Sequence, residues 1–187
     1  ILPFAIAYSV AARSAGLTVF ETQAMSVLVF AGASQFGAAG MFAVSAQPVA
    51  IIFTTFLINI RHALYGLNLG RKGRLDPLRE LLAAHLLTDE AFGVTAGSGR
   101  GAGSYLLGAG LSVFVIWNAG TLAGSLLSAQ IPDPASLDVD FVFPLAFLAL
   151  LLPLLRSRPA WFVAAVSALL ALVLSRLVSP GLMIMIT

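Results

Sequence analysis

The 187-residue sequence contains no cysteine. Disulfides, thiol catalysis and thiolate metal sites are therefore excluded, and the redox compartment stays unreadable. Charge is almost as scarce. Asp, Glu, Lys and Arg make up 10% of the chain, against roughly 25% in a soluble domain, while 59% of residues are hydrophobic. A soluble fold would have to bury nearly everything, which a chain of this size cannot do; the solvent must be a lipid bilayer. The formal net charge of +2 is then no argument for a nucleic-acid partner; what matters is where the cations sit. No Gly-rich phosphate loop, zinc-ligand spacing or Ser-His-Asp order occurs. No cofactor, no metal site and no enzymatic activity are expected. The chain opens on Ile1 without a basic n-region, so no signal peptide is visible, and both ends read as trimmed.

What is there is a set of apolar segments. Between Glu21 and Arg61 lie about 39 residues without charge, enough for two ~20-residue membrane spans. Ile1–Ala12 reads as part of a first helix. Gly16-Leu17-Thr18 breaks it, and Thr18-x-x-Glu21 is a capping box opening the next. Span two covers Thr22–Val44 and span three Pro48–Leu69, joined by the turn Ser45-Ala46-Gln47-Pro48. After Arg71, Lys72, Arg74 and Arg79 comes a shorter segment, Leu81–Ala96, carrying His85, Asp89 and Glu90. A glycine-rich break at Gly97–Gly103 precedes the long span Tyr105–Ala129, and Ile131–Asp140 is an acidic loop. Phe141–Leu155 and Pro159–Ser175 are two more spans, followed by an apolar tail, Leu177–Thr187. The expected fold is all-α integral membrane, a single domain over residues 1–187. It has about six transmembrane helices, a short re-entrant or half-length helix, and at least one broken helix.

The cations give an orientation. Setting Arg61 aside, nine Lys or Arg remain of ten. If Leu81–Ala96 dips in and returns, eight share one face and only Arg176 lies opposite; if it crosses, the split is six to three. The positive-inside tendency favours re-entry, with the basic face cytoplasmic. A 16-residue helix also spans only about 24 Å, short of a ~30 Å core. Three small-xxx-small pairs, Gly66/Gly70, Gly93/Gly97 and Gly120/Gly124, read as packing surfaces that let backbones approach closely.

Three polar clusters interrupt the apolar background. Gly32-Ala33-Ser34-Gln35-Phe36-Gly37 lies halfway along span two, where helix-weakening glycines are tolerated if the freed backbone lines a cavity. A tight helix crossing, with Gln35 bonding a neighbour, is the alternative. Asn59-Ile60-Arg61-His62 lies well inside span three. Asn59 and His62 share one face, and Arg61 another with Tyr65 and Asn68. A guanidinium at that depth is costly and faces other helices, water or a substrate. Its fork matches a carboxylate, belonging either to a solute or to Asp89 or Glu90. Thr88-Asp89-Glu90 is the third cluster, with His85 four residues before Asp89 on the same face. Neighbouring carboxylates diverge by about 100° on a helix, so one can pair with Arg61 while the other titrates or stays solvated. Trp117 and Asn118 add polar points to the long span, Trp117 too far from either end to be an interfacial belt residue.

In order and spacing these clusters resemble the large subunit of the AzlC-type (YgaZ-like) branched-chain amino-acid exporters. The resemblance rests on "MSVLVFAGASQFGAAG", "LINIRHALYGLNL" and "LLTDEAFGV", and extends to "IPDPASLDVDFVFPLAFLALLLPLL" followed by "RSRP". It implies secondary transport of Leu, Ile and Val, with Met as a further candidate, out of the cell, with a small hydrophobic AzlD-type subunit as partner, in the bacterial inner membrane. On that reading Ser34, Gln35, Asn59, Arg61, Trp117 and Asn118 bind the substrate, and His62, Asp89 and Glu90 carry the coupling proton. The residues alone reach only a zwitterionic or anionic small solute. A non-transporting scaffold and an importer are the rival expectations.

Overall fold

The computed structural model of the chain describes residues 1–70, 76–97, 102–129, 148, 152, 155, 157–174 and 176. Among these the secondary structure is helical, without strands. The expected acidic loop at 131–140, the apolar tail and nearly all of the span Phe141–Leu155 lie outside the described residues.

Helix α1 (Leu2–Ser14) opens on Pro3, whose fixed φ and missing N–H suit a first turn, and ends in a Schellman motif. Leu17 N–H bonds the Ala12 carbonyl, Gly16 N–H bonds that of Arg13, and Gly16 adopts φ +90°, a conformation glycine enters without a Cβ penalty. Helix α2 (Val19–Leu28) starts at the expected capping box. Thr18 Oγ1 accepts from Glu21 N–H at 3.1 Å, and the Glu21 carboxylate accepts from both the N–H and the hydroxyl of Thr18. Those bonds favour the charged form and hold the Glu21 carboxyl below its ordinary range, most strongly through the backbone N–H. A depressed carboxyl stabilises the fold above its unfolded-state pKa, and the benefit disappears as pH falls through the folded value. The thermal midpoint of the wild type is therefore expected to drop once the pH falls below the ordinary carboxyl range. Glu21→Gln, which keeps an acceptor in the box but does not titrate, removes that component of the pH slope.

Helices α3 (Gly32–Ala43) and α4 (Pro48–Asn59) are joined by the expected turn, a second Schellman motif. Ala46 N–H bonds Met41 O and Ser45 N–H bonds Phe42 O, with Ser45 at φ +52°. Next come α5 (Arg61–Gly70), α6 (Pro77–His85) and α7 (Asp89–Gly97). The long α8 (Ala102–Ala129) follows, and then α9 (Arg158–Leu174). Helix α8 is the spine: α1, α2, α6 and α7 all pack on it, while α3 packs on α1 and carries α4, and α5 touches α7. The core between these helices is aromatic, with Tyr8, Phe30, Phe36 and Trp117 buried together.

Two expected helices are corrected. Span two is not one helix from Thr22 to Val44, because the chain breaks at 29–31, before Gly32 and not between the glycines. The segment Leu81–Ala96 is likewise two helices, turned at Leu86-Leu87-Thr88. Thr88 caps the second of them, its Oγ1 accepting from Ala91 N–H at 3.2 Å. That corner also takes His85 off the face of Asp89, and its ring packs instead near Phe30 and Phe114.

Two continuous helical stretches among the described residues are long and apolar enough to cross a membrane, Pro48–Gly70 and Gly103–Ser128, with Arg158–Val173 a shorter apolar helix. The other expected spans are broken or lie outside the description. Large apolar side chains on these stretches face outward: Val49 is 77% exposed, Ile52 70% and Phe56 61%. A soluble monomer would not leave so wide an apolar surface in water. Of the three small-residue pairs, Gly120/Gly124 packs closely, against Ala5 and Ser9 of α1. Gly66, Gly70 and Gly93 meet nothing within 4 Å among the described residues, because α5 and that side of α7 face away from the spine.

Candidate functional site

The break between α2 and α3 is built by one strained residue and several supports. Phe30 sits at φ +38°, a left-handed conformation that costs a non-glycine residue about 1 kcal/mol or more and needs surrounding structure to hold it. Its ring is buried and meets Phe114 edge-on with centroids 4.9 Å apart. Ala31 is extended and starts α3 without a side-chain cap. Gly32 follows because a Cβ there would come within 3.1 Å of the Trp117 ring. Ending α2 frees carbonyls that need donors. The Gln35 amide reaches back to the last turn of α2, Nε2 to Met25 O at 3.0 Å, a carbonyl that also takes the Val29 N–H, and the Ser34 hydroxyl donates to Ala31 O at 2.9 Å. Both side chains are fully buried, so they hold the break from within.

Helix α8 forms the opposite wall. Trp117 is buried and stacks on Tyr8, centroids 6.1 Å apart and planes 20° from parallel. Asn118 Oδ1 accepts from Gln23 Nε2 at 3.0 Å, and one turn along Ser26 Oγ donates to Thr121 Oγ1 at 3.2 Å. These two rungs, each i to i+3 on its own helix, tie α2 to α8. Between the walls lies a narrow open cleft lined by Phe30, Gly32, Thr88, Glu90, Val113 and Trp117. In this conformation it has room for about one water. Trp117 and Glu90 are thus brought to the mouth of the break, with Glu90 the charged member of the lining.

The second polar group forms where α4 passes into α5. Around Ile60 the bonding tightens to three-residue spacing, Ile60 N–H to Leu57 O and Ala63 N–H to Ile60 O. Just beyond, Arg61 Nη2 lies 2.7 Å from Asp89 Oδ2, and the Tyr65 hydroxyl donates to Asp89 Oδ1 at 2.8 Å. Tyr65 in turn stacks on Phe92, centroids 4.3 Å apart, and the His62 ring meets Tyr65 edge-on at 5.7 Å. Of the two acids left open by the sequence, Asp89 is the one on Arg61. Both acids stand in the first turn of α7, where the helix dipole favours negative side chains. Their divergence sends Asp89 toward α5 and Glu90 toward the cleft. The pair is half-exposed, with side chains 33% and 44% accessible. Arg61 Nε and Asn59 Oδ1 are buried without a hydrogen-bond partner among the described residues.

The structure therefore assembles two neighbouring groups linked through Asp89–Glu90. Gly32, Glu90 and Trp117 face the cleft; Arg61, His62 and Asp89 cluster with Tyr65 beside it. Asn59 and Arg61 are not in the cleft lining; Gln35 and Asn118 are engaged between helices, and Ser34 bonds the N-cap carbonyl of its own helix. Tyr65, Phe30 and Gly32 were not singled out as site residues from the sequence. Tyr65 was findable, since it shares a helix face with Arg61 four residues away. Phe30 was not, because no local signal marks a phenylalanine for a left-handed turn.

No solved structure matches this chain. Curated proteins do match, among them the following three. A membrane protein of unassigned function from Archaeoglobus fulgidus is 33% identical over 159 residues, covering 84% of this chain and 70% of its own length. The inner membrane protein YgaZ of Escherichia coli is 28% identical over 174 residues, covering 88% of this chain and 71% of its own. The branched-chain amino acid transport protein AzlC of Bacillus subtilis is 26% identical over 149 residues, covering 78% and 58%. The sequence model of the family described as AzlC protein matches residues 1–131, more than two thirds of the chain. With its broken, outward-apolar helices and its charged group inside a candidate span, this membrane protein belongs to the AzlC family.

Proposed function

We propose that the protein is the large component of a secondary transporter that moves branched-chain amino acids (Leu, Ile and Val, with Met as a further candidate) out across the bacterial inner membrane. It works there as a multi-pass protein with a small hydrophobic AzlD-type subunit. The observation that carries this reading is the Arg61 guanidinium, set inside the apolar stretch Pro48–Gly70 with an Nε donor still open. A cation at such a position is kept for a partner of opposite charge. The name of the Bacillus subtilis relative supports the substrate class. In this reading Arg61 and Asn59 hold the substrate carboxylate, and the break before Gly32, with Ser34 and Gln35 beside it, contributes backbone and amide dipoles. Trp117 and Asn118 complete the wall. Glu90, or Asp89 once released, takes the substrate ammonium or a coupling proton, with His62 assisting; the inward proton gradient supplies the energy. Cells fed a leucine-containing dipeptide test this directly. The strain lacking the gene is expected to accumulate intracellular leucine, and equal pools with and without the gene would rule export out.

A second reading is favoured by the interhelical bonds of Gln23, Ser26 and Gln35: a non-transporting scaffold whose polar residues are glue. Purified chain in liposomes, with and without the small subunit, separates the two. Leucine counterflow that needs Arg61 supports transport, and loss of folding in every polar variant supports the scaffold.

A further inference from the structure

Asp89 makes an unusual use of Arg61. Only Nη2 meets its Oδ2, although a guanidinium and a carboxylate can pair through two parallel bonds. That contact is an ion pair without hydrogen-bond geometry, so neither Nη2 nor Nε, the other donor of that fork, has a hydrogen-bond partner among the described residues. The second Asp89 oxygen is taken by the Tyr65 hydroxyl at 2.8 Å, and Tyr65 is fixed by its stack on Phe92. Asp89 is thus held by two elements at once, with α7 behind it and α5 in front, and it fills half of a site shaped for a carboxylate.

We infer that Asp89 is an internal stand-in for the substrate: in the resting state it occupies Arg61, and the α-carboxylate of the incoming amino acid displaces it. This deepens the proposed function and rests on it. An amino-acid carboxylate has the same charge and planar geometry as the Asp89 side chain, so it can accept from both Nη2 and Nε, where Asp89 makes only the one ion-pair contact. A half-exposed pair is weakly held, which makes the exchange feasible. Tyr65 is a positioning residue, orienting Asp89 against Arg61 in the resting state. The exchange also supplies a link between binding and movement. The Arg61–Asp89 contact joins α5 to α7, so displacing Asp89 unfastens the kinked helix from the corner helix that carries Glu90 into the cleft. Binding at one group is thereby felt at the other, through a contact that exists in only one of the two states.

The test compares ligands with and without a carboxylate on purified full-length protein, with its small subunit where that co-purifies. Asp89→Asn removes the competing charge with little change of shape. Leucine is expected to bind it about fivefold more tightly than wild type, the scale of a partly exposed ion pair, while turnover in counterflow falls. Isoamylamine, the leucine skeleton without its carboxylate, gains nothing. Tyr65→Phe keeps the stack on Phe92 and gives a smaller shift of the same sign, which preserves the test if Asp89→Asn folds poorly. A folded Asp89→Asn or Tyr65→Phe variant that binds leucine no more tightly than wild type overturns the displacement. So does one that tightens leucine and isoamylamine alike. Wild-type protein that binds no branched-chain amino acid overturns the proposed substrate itself, and the stand-in role falls with it.

Discussion

Arg61→Lys is expected to reduce leucine counterflow to about a tenth of wild type or less. The charge is retained, so the effect isolates geometry. Lysine presents one compact, strongly hydrated ammonium where arginine presents a planar fork of donors. A hydrogen bond to a charged group is worth about 1.5–3 kcal/mol, which corresponds to roughly 10- to 100-fold in affinity. Asp89 remains close enough to pair with either cation, so the variant should still fold and its midpoint should move little. The measurement is leucine counterflow in liposomes at matched protein density. Normal export by Arg61→Lys would remove the guanidinium from the carboxylate site.

The second large effect is structural, and it has a built-in control. Gly108 and Gly110 lie two residues apart in α8, yet an alanine at each should act in opposite directions. A Cβ on Gly110 would lie 2.6 Å from the Leu86 carbonyl oxygen and 2.7 Å from its Cβ, whereas one on Gly108 meets nothing within 4 Å. Glycine to alanine in a helix interior gains about 0.8–1 kcal/mol when space is free. Overpacking against a rigid neighbour costs about 1–3 kcal/mol, and a backbone carbonyl cannot rotate out of the way. Gly108→Ala is therefore expected to raise the midpoint of thermal unfolding in detergent, and Gly110→Ala to lower it. Gly110→Ala should also impair transport, because Leu86 belongs to the corner that positions Thr88, Asp89 and Glu90. Equal midpoints for the two variants would show that α8 does not press on that corner.

Much of this molecule was legible before any coordinates. The capping box at Thr18 and Glu21, the turn at Ser45 to Pro48 and the break after Gly16 are local devices, specified by residues within a few positions of one another. They appear where the sequence puts them. The two misplaced features depend on distant contacts. The break before Gly32 depends on Phe30 being held by Phe114, and on Trp117 leaving only tight space for a Cβ; both partners are some 85 residues away on α8. The corner at Leu86 depends on α6 and α7 each finding its own contact with that same helix. Hydropathy reads an unbroken apolar segment before Gly32, and at the corner Leu86-Leu87-Thr88 no glycine or proline marks the turn.

By itself the sequence determined the solvent and the family. Scarce charge, abundant apolar residues and three spaced motifs are one-dimensional properties that survive any folding. It also determined that Arg61 would need a negative partner, since an isolated guanidinium at that depth is too costly. Which carboxylate meets Arg61, which faces the cleft, and that Gln35 and Asn118 work as interhelical bonds were decided only in three dimensions. Neighbours such as Asp89 and Glu90 are chemically near-identical along the chain, and only the packing of α7 between α5 and α8 turns one toward the arginine and the other toward the cleft.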